Sequence, residues 1–297
     1  MTAKRKSAEI DRKKLFSDPV MIGMIAVLLI FLVLFIVYPL FVLLIDSVFS
    51  EGSFSLDVFR RVLSMERFRV AFVNTVELGL ITGVLSSAIG LLFAYVDVKL
   101  KYKWIEKLFN IVSLLPVVSP PFVLSLSTIM LFGRSGIISR YVFHIYDSNV
   151  YGLKGIVVVQ TLTFFPVCYL MLKGLLKNID PSIEEAARDI GASRLKVFLT
   201  ITLPLMLPGI GNAFLVTFIE SVADFANPML IGGDFDTLAT TIYLQVTGSY
   251  DSTGAAAMSV ILLSLTLILF FIQKYYLEKK TTATLTGKAS RVRMPIT

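Results

Sequence analysis

Long apolar runs alternate with shorter polar segments along almost the whole chain. Six of these runs are long enough to cross a membrane, because a ~30 Å hydrocarbon core needs about 20 helical residues at ~1.5 Å per residue. The runs cover residues 20–45, 71–96, 105–131, 155–176, 205–223 and 255–275. The pattern therefore predicts an all-α polytopic membrane protein with six transmembrane helices.

The two ends of the chain are basic and carry no apolar core. We expect cytoplasmic tails at residues 1–19 and 276–297, and one six-span domain over residues 20–275. The first apolar run is too long for a signal-peptide core and lacks a small-residue cleavage site. It is therefore expected to be retained as a span.

Three prolines interrupt the third run, namely Pro116, Pro120 and Pro121. Proline lacks the backbone N–H and clashes with the preceding helical turn, so this run must kink or break. The polar segments at residues 46–70 and 224–254 are expected outside the membrane. The first should hold short helices, and the second a small amphipathic helix near residues 236–246.

The distribution of basic residues predicts the orientation. Of the 28 Lys and Arg residues, 21 lie in the tails and connections of one side, 6 lie on the other side, and Lys154 lies at a boundary. The positive-inside rule then places both termini in the cytoplasm, together with the segment at residues 180–204. The local exceptions are Arg60, Arg61, Arg67 and Arg69.

Residues 180–204 form a charged segment between two apolar runs. Asp180 is a good N-cap, and Pro181 suits the first helical position. Gly191 suits a turn because glycine adopts positive φ without a Cβ penalty. Ser193 is placed to cap a second helix, and Pro204 is expected to begin the return to the membrane. The segment therefore predicts a helical hairpin standing clear of the bilayer.

The spacing within this hairpin resembles the EAA loop of the binding-protein-dependent, type I ABC importer permeases. The matching residues are Glu185-Ala186-Ala187, Gly191, Ile201 and Leu203-Pro204. In that family the loop forms the coupling helices that sit in a groove of a cytoplasmic ATPase. The resemblance implies a coupling role for Glu184, Glu185, Ala186, Ala187, Arg188, Asp189, Gly191, Ala192, Ser193, Ile201, Leu203 and Pro204.

The resemblance also implies partners and a location. These are a cytoplasmic ABC ATPase dimer that holds ATP and Mg²⁺, a second permease subunit, identical or similar, and a periplasmic or lipid-anchored solute-binding protein. The location is the bacterial cytoplasmic (inner) membrane, where the chain is multi-pass. No nucleic-acid partner is expected despite the net charge of +7, because the basic residues flank apolar runs.

A narrower resemblance concerns the solute. Residues 220–228 and 232–240 resemble the ferric-iron branch of these permeases. Other permeases of this sequence character serve phosphorylated sugars, phosphonates or polyamines, so these remain alternatives. The ferric branch commonly fuses two permease halves, whereas this chain has one EAA loop. A second half is therefore expected from another chain.

No motif for ATP hydrolysis is present. The nearest candidate, Gly287-Lys288-Ala289-Ser290, lacks the upstream glycine of a Walker A sequence, since Thr282 occupies that position. One cysteine and one histidine rule out a Cys/His metal cluster. We therefore expect no enzyme activity, no metal site and no cofactor on this chain. The competing class is a channel or an accessory membrane-assembly subunit, against which the EAA spacing argues.

Four polar residues near the membrane are candidates for the solute pathway or a gate, namely Asn74, Glu77, Glu220 and Asp224. Carboxylates inside a membrane are costly and usually face a cavity or a partner. Glu220 and Asp224 are four residues apart and would share one face of a continuing helix. The alternative is a structural cluster in which the acids pair with Arg67 or Arg69. Both interpretations stay open at this stage.

Overall fold

The computed structural model describes residues 19–50, 53–99, 103–120 and 122–277. Nearly all of both expected tails and the basic connection around Lys101 lie outside these residues. Within them, five helices are long and apolar enough to cross a membrane, and a bent helix pair makes a sixth when its two parts are counted as one span. The five are Pro19–Val48, Glu66–Lys99, Leu153–Lys177, Arg194–Ala223 and Ser252–Tyr275. We number them the first, second, fourth, fifth and sixth spans. The polytopic helical fold is thereby confirmed.

The third span is broken, as its prolines predict. The proximal third-span helix covers Lys103–Val118, and the distal third-span helix covers Val123–Phe132. The axes of Lys107–Val118 and Val123–Tyr141 bend by 104° at the break. Phe122 lies there in the left-handed region, with φ +74°. Pro120 has no N–H to donate, so the helical ladder is interrupted next to this residue.

Short elements connect the spans. The expected amphipathic helix is found at Leu238–Thr247, where Thr237 and Thr240 form a capping box. The segment after the first span pairs Phe49–Ser50 with Ser53–Phe54 as two very short antiparallel strands, followed by a helix at Asp57–Ser64. Further helices lie at Ile137–Tyr141 and Ala226–Ile231. The strand pair and these last two helices were not predicted.

The second helix of the hairpin and the fifth span, which were given separate bounds on either side of Pro204, are continuous. Residues Arg194–Ala223 form one helix of 30 residues. A π-helical turn, Phe198–Thr202, joins its first turn to the remainder, Leu203–Ala223. Pro204 lies two residues after this wide turn, and the altered bonding accommodates a residue that cannot donate an N–H. The second arm of the hairpin is therefore the first part of the fifth span.

The second, fourth and fifth spans form the centre of the molecule. A methyl group added at Gly90 would lie 2.6 Å from Cβ of Cys168 and 2.8 Å from the backbone N of Tyr169. Such closeness requires the second and fourth spans to touch backbone to backbone. The buried cluster around this contact includes Cys168, Tyr169, Leu172 and Met206.

We expect Gly90→Val to reduce the amount of folded protein, because overpacking costs about 1–3 kcal/mol and here the obstacle is partly backbone. Thermal unfolding in detergent and the monodisperse fraction on size exclusion measure the effect. Gly174→Val is the matched control, since a Cβ at Gly174 meets nothing within 4 Å. Equal stability of the two variants would contradict the assigned contact.

The first span is loosely attached to this centre. Its last part, Tyr38–Val48, packs against the sixth span and buries Ser47. Its first part, Pro19–Leu32, has no residue buried by the described chain.

Candidate functional site

The polar hairpin is the first part of the candidate site, and its first arm is the helix Pro181–Asp189. Asp180 is the N-cap, and its Oδ1 accepts from the backbone N–H of Ser182 at 3.0 Å. This bond to Ser182 lowers the pKa of the Asp180 carboxyl. The predicted cap and the predicted first position of Pro181 are both confirmed.

The turn of the hairpin is also as predicted. Gly191 has φ +92°, a value that disfavours any residue with a Cβ. Ser193 then caps the fifth span, its Oγ accepting from the backbone N–H of Lys196 at 3.3 Å. The two arms therefore begin and end where local sequence signals place them.

A buried carboxylate clamps the hairpin to the spans. Glu184 is 4% exposed, and Lys99, the last residue of the second span, donates to its Oε2. Thr202 Oγ1 donates to Oε1 of Glu184 at 2.8 Å, and Arg188 Nη2 lies 3.4 Å from Oε2. The first arm is thus tied to the end of the second span and the start of the fifth.

The charge of Glu184 is stabilised by these partners. Burial alone raises the pKa of this carboxyl, but hydrogen bonds from Lys99 and Thr202 and the charges of Lys99 and Arg188 outweigh it. The net pKa is below the ordinary value. The ionised form is therefore the one that holds the clamp at neutral pH.

The tip of the hairpin is apolar and uncovered. Ile190 is 87% exposed and Leu195 is 68% exposed. Glu185, the first residue of the EAA match, is also exposed. A cleft of about 520 Å³ lies beside the tip and includes Glu185, Leu195 and Phe198 in its lining. Two large apolar side chains on a charged hairpin suit a protein partner better than water.

The remaining predicted coupling residues divide by burial. Four are half-buried, namely Ala187, Ala192, Ile201 and Leu203. Five are exposed, namely Ala186, Arg188, Asp189, Ser193 and Pro204.

A polar network lies at the opposite end of the spans, which we call the far end. Gln160 of the fourth span donates to Oδ2 of Asp224 at 2.8 Å. Asn227 Nδ2 donates to the same oxygen at 2.8 Å, and Ser125 Oγ of the distal third-span helix donates to Asn227 Oδ1 at 2.8 Å. Ser221 Oγ donates to Gln160 Oε1 at 2.6 Å. The network connects the third, fourth and fifth spans.

The expected shared face of Glu220 and Asp224 is wrong. The helix ends at Ala223, and the backbone of Asp224 is extended, with φ −71° and ψ 119°. Oδ1 of Asp224 accepts from the backbone N–H groups of Ala226 and Asn227, at 3.0 and 3.3 Å. These bonds offer the backbone an alternative to another helical turn.

The alternative, in which these acids pair with Arg67 or Arg69, does not hold among the described residues either. Arg67 pairs with Asp236 at 3.3 Å, and Arg69 takes part in none of the ion pairs found in the described chain. Within the same residues, no three His, Cys, Asp or Glu side chains are placed to hold a metal ion. Glu77, Glu220 and Asp224 therefore do not converge on one metal-binding point.

The four candidate pathway residues have different surroundings. Asn74 Nδ2 donates to the backbone oxygen of Asp236 at 2.9 Å, and Asp224 lies within the network described above. Glu77 is exposed. Oε2 of Glu220 is buried without a hydrogen-bond partner among the described residues. The pathway role of Glu77 and Glu220 therefore stays a prediction.

Sequence reasoning missed Lys99 and Thr202 as partners of Glu184. It also missed a buried ion pair between Asp97 and Lys173. The available signal was a charge next to or inside an apolar run, which marks an interior position. Lys173 interrupts the fourth run in this way.

The chain was compared with protein families and with known proteins. Residues 86–282 match the family described as "Binding-protein-dependent transport system inner membrane component". "Ferric transport system permease protein FbpB" of Actinobacillus pleuropneumoniae is 34% identical over 98% of this chain and 43% of the relative. "Molybdenum transport system permease protein ModB" of Haemophilus influenzae is 32% identical over 51% of this chain and 69% of the relative.

A solved structure has a similar fold. It is a bacterial alginate ABC transporter "in complex with alginate pentasaccharide-bound periplasmic protein", with a TM-score of 0.77 and 17% identity over 91% of this chain and 97% of that chain. The present chain spans about half the length of the ferric relative. Since the family match covers well over half of the sequence, the chain belongs to the binding-protein-dependent transport system inner membrane components.

Proposed function

We propose that this chain is a membrane-spanning half of an ATP-driven importer of the bacterial cytoplasmic membrane, and that its solute is ferric ion. The observation that carries the proposal is the clamped hairpin. Glu184 fixes its first arm to two spans, while Ile190 and Leu195 are left uncovered at the tip. A rigid attachment behind an apolar tip is suited to transmitting force from a docked partner.

The partner at the hairpin is a cytoplasmic ATPase dimer, on which ATP and Mg²⁺ are bound. Both termini and the hairpin face the cytoplasm, in keeping with the excess of basic residues on that side. Closure of the ATPase dimer would move the hairpin, and the clamp would pass the movement to the second and fifth spans. Differential contacts in the two states supply the coupling free energy.

Two further partners complete the transporter. One hairpin would fill one of the two grooves of an ATPase dimer, so a second permease half, identical or similar, provides the other. A solute-binding protein, periplasmic or lipid-anchored, delivers the solute at the far end. The complex of the structurally similar alginate transporter with a periplasmic protein supports this arrangement.

The charges at the far end support a cation as solute. No Lys, Arg or His occurs from Val197 to Gln273, whereas five acidic residues do. Asp236 and Asp251 are paired with Arg67 and Arg61, so Glu220, Asp224 and Asp234 are the acids left without an ion pair in the described chain. Carboxylates without a basic partner attract cations. Ferric ion is a hard cation that favours oxygen ligands, and carboxylates provide them. A relative that matches 98% of this chain carries a ferric name, which points the same way.

An oxyanion is the second candidate, because a shorter match connects the chain with a molybdenum permease. The absence of Lys, Arg and His over Val197–Gln273 disfavours it, since an oxyanion needs cationic or N–H partners. Arg61 and Arg67, which contact this segment, are already paired with Asp251 and Asp236. The clamped hairpin argues against a channel or an assembly subunit, neither of which needs a fixed docking element.

Uptake into proteoliposomes tests the solute. The complete complex, supplied with its binding protein and ATP, is expected to accumulate radiolabelled ferric ion and not molybdate. We expect Glu220→Gln to lower ferric uptake several-fold at normal expression, because its buried Oε2 has no hydrogen-bond partner among the described residues. Preferential molybdate uptake would replace the ferric assignment with the oxyanion.

Asp224→Asn serves as the contrasting variant in that experiment. Its carboxylate accepts four hydrogen bonds, two from side chains and two from the backbone, so the loss should appear as reduced folded protein. Unchanged ferric uptake by Glu220→Gln at normal expression would remove Glu220 from the pathway.

A further inference from the structure

A second buried charge lies two residues before Lys99 at the hairpin end of the second span. The side chain of Asp97 is 1% exposed, and its Oδ2 lies 2.5 Å from Nζ of Lys173, itself 12% exposed, in the fourth span. Burying such a pair costs several kcal/mol per ion, and apolar residues often serve stability as well or better. A contribution to folding stability alone therefore does not explain why this ion pair is present.

The ion pair extends to a third element. The hydroxyl of Tyr169 lies 2.8 Å from Oδ2 of Asp97 and 2.8 Å from Oδ1 of Asn110. Lys173 Nζ also donates to Oδ1 of Asn110 at 2.6 Å. Asn110 belongs to the proximal third-span helix. Three spans thus meet at one polar centre, which we call the Asp97 centre, made of Asp97, Lys173, Tyr169 and Asn110.

Apart from the Asp97 centre, few contacts hold the proximal third-span helix, among them the rings of Phe109 and Phe93, whose centroids are 5.3 Å apart. Among its described side chains, only Ser113 is fully buried, and Ser113 Oγ has no hydrogen-bond partner there. Ile111, Leu115 and Val118 are more than half exposed. The helix ends at the 104° break. A helix with so few buried side chains moves with the neighbour to which it is hydrogen-bonded.

We propose that Asp97 and Lys173 are positioning residues of the transport cycle: through Asn110 they make the proximal third-span helix move together with the hairpin. The inference rests on the proposed function. Lys99 holds Glu184 of the hairpin, and Asp97, on the same helix end, holds the polar centre. A displacement of the hairpin therefore reaches the third span through two adjacent buried contacts.

The far end supplies a reason for such a connection. Ser125 of the distal third-span helix is bonded to Asn227, and Asn227 to Asp224. Beyond the break, the third span thus contacts the network that joins the fourth and fifth spans. Movement of the proximal third-span helix would therefore be transmitted from the hairpin side to this network.

Paired spin labels test the inference in the complete complex. Labels at Ser182, on the hairpin arm, and at Ile111, on the proximal helix, use two exposed positions. Cys168, the single cysteine, is buried and would be replaced by serine. We expect one narrow distance distribution that stays the same after trapping with ATP and vanadate, because the two elements move as one body.

Asn110→Ala removes the link while leaving the Asp97–Lys173 ion pair in place. With this variant we expect the distribution to broaden or to change on trapping, and ferric uptake per ATP hydrolysed to fall several-fold at normal expression. Asp97→Asn should act in the same direction. Thr217→Val is the matched control, since it removes a buried polar contact of Thr217 with position 168 without touching the third span.

The outcomes separate the two hypotheses. If the unsubstituted complex takes up solute with ATP but Asn110→Ala matches it in distance and in uptake per ATP, the positioning role is wrong and the transport function stands. If the unsubstituted complex shows no ATP-dependent uptake of any tested solute, the proposed function fails and the inference fails with it.

Discussion

Replacing Gly191 with valine is expected to leave the spans folded and to uncouple ATP hydrolysis from solute uptake. A Cβ at Gly191 would meet nothing within 4 Å, so space is not the obstacle. The obstacle is the backbone, because φ +92° is strained for a β-branched residue. A cost of about 1–2 kcal/mol is on the order of tenfold in the population of the native turn.

Uptake per ATP hydrolysed, measured in proteoliposomes, should fall by about the same factor. Gly191→Asn is the informative comparison, because asparagine enters the left-handed region more readily and should retain more coupling. Gly174→Val controls for an added side chain without φ strain. Normal coupling in Gly191→Val would refute the role assigned to this turn.

The second large effect is expected for Glu184→Gln. Removing one partner from a buried ion pair costs about 3–5 kcal/mol, and the lower end applies here because Lys99 is one third exposed. The first arm should then detach from the second span. Amide hydrogen exchange over residues 181–190, measured on the purified chain without an ATPase, should accelerate at least tenfold.

Glu185→Gln is the matched control for that measurement, because Glu185 is exposed. Lowering the pH should accelerate amide exchange over residues 181–190 in the same way as Glu184→Gln. The folded pKa of Glu184 is below its ordinary value, so its contribution is present above the ordinary glutamate range and is lost as pH falls through the lowered pKa. Equal exchange in Glu184→Gln and Glu185→Gln at neutral pH would show that the clamp does not hold the arm.

Sequence reasoning succeeded where the deciding forces are local. The apolar runs fix the spans because transfer into hydrocarbon depends on composition. Asp180, Pro181 and Ser193 act on backbone groups a few residues away, and the turn at Gly191 depends on one residue. Each of these features could therefore be predicted without knowledge of the packing.

It failed where partners are distant or where two local signals compete. Lys99 and Glu184 are 85 positions apart, and neither segment carries a local signal that identifies the other as its partner. At Asp224 the helical spacing from Glu220 was a real signal, but the side chain bonds the backbone ahead of it and ends the helix. Before Pro204, a π turn kept continuous a helix that the proline rule would interrupt.

The loose attachment of the first span has a consequence for how its sequence varies. No residue of Pro19–Leu32 is fully buried by the described chain, so within this chain side-chain volume and shape are only weakly constrained there. Exchanges among Leu, Ile, Val and Phe should be nearly neutral, whereas a central charge would cost about 2.5–3.5 kcal/mol. The sequence of such a segment is expected to vary among relatives while it remains apolar. It lies before residue 86, where the family match begins, and Gly90, which tolerates no added methyl group, lies inside the match.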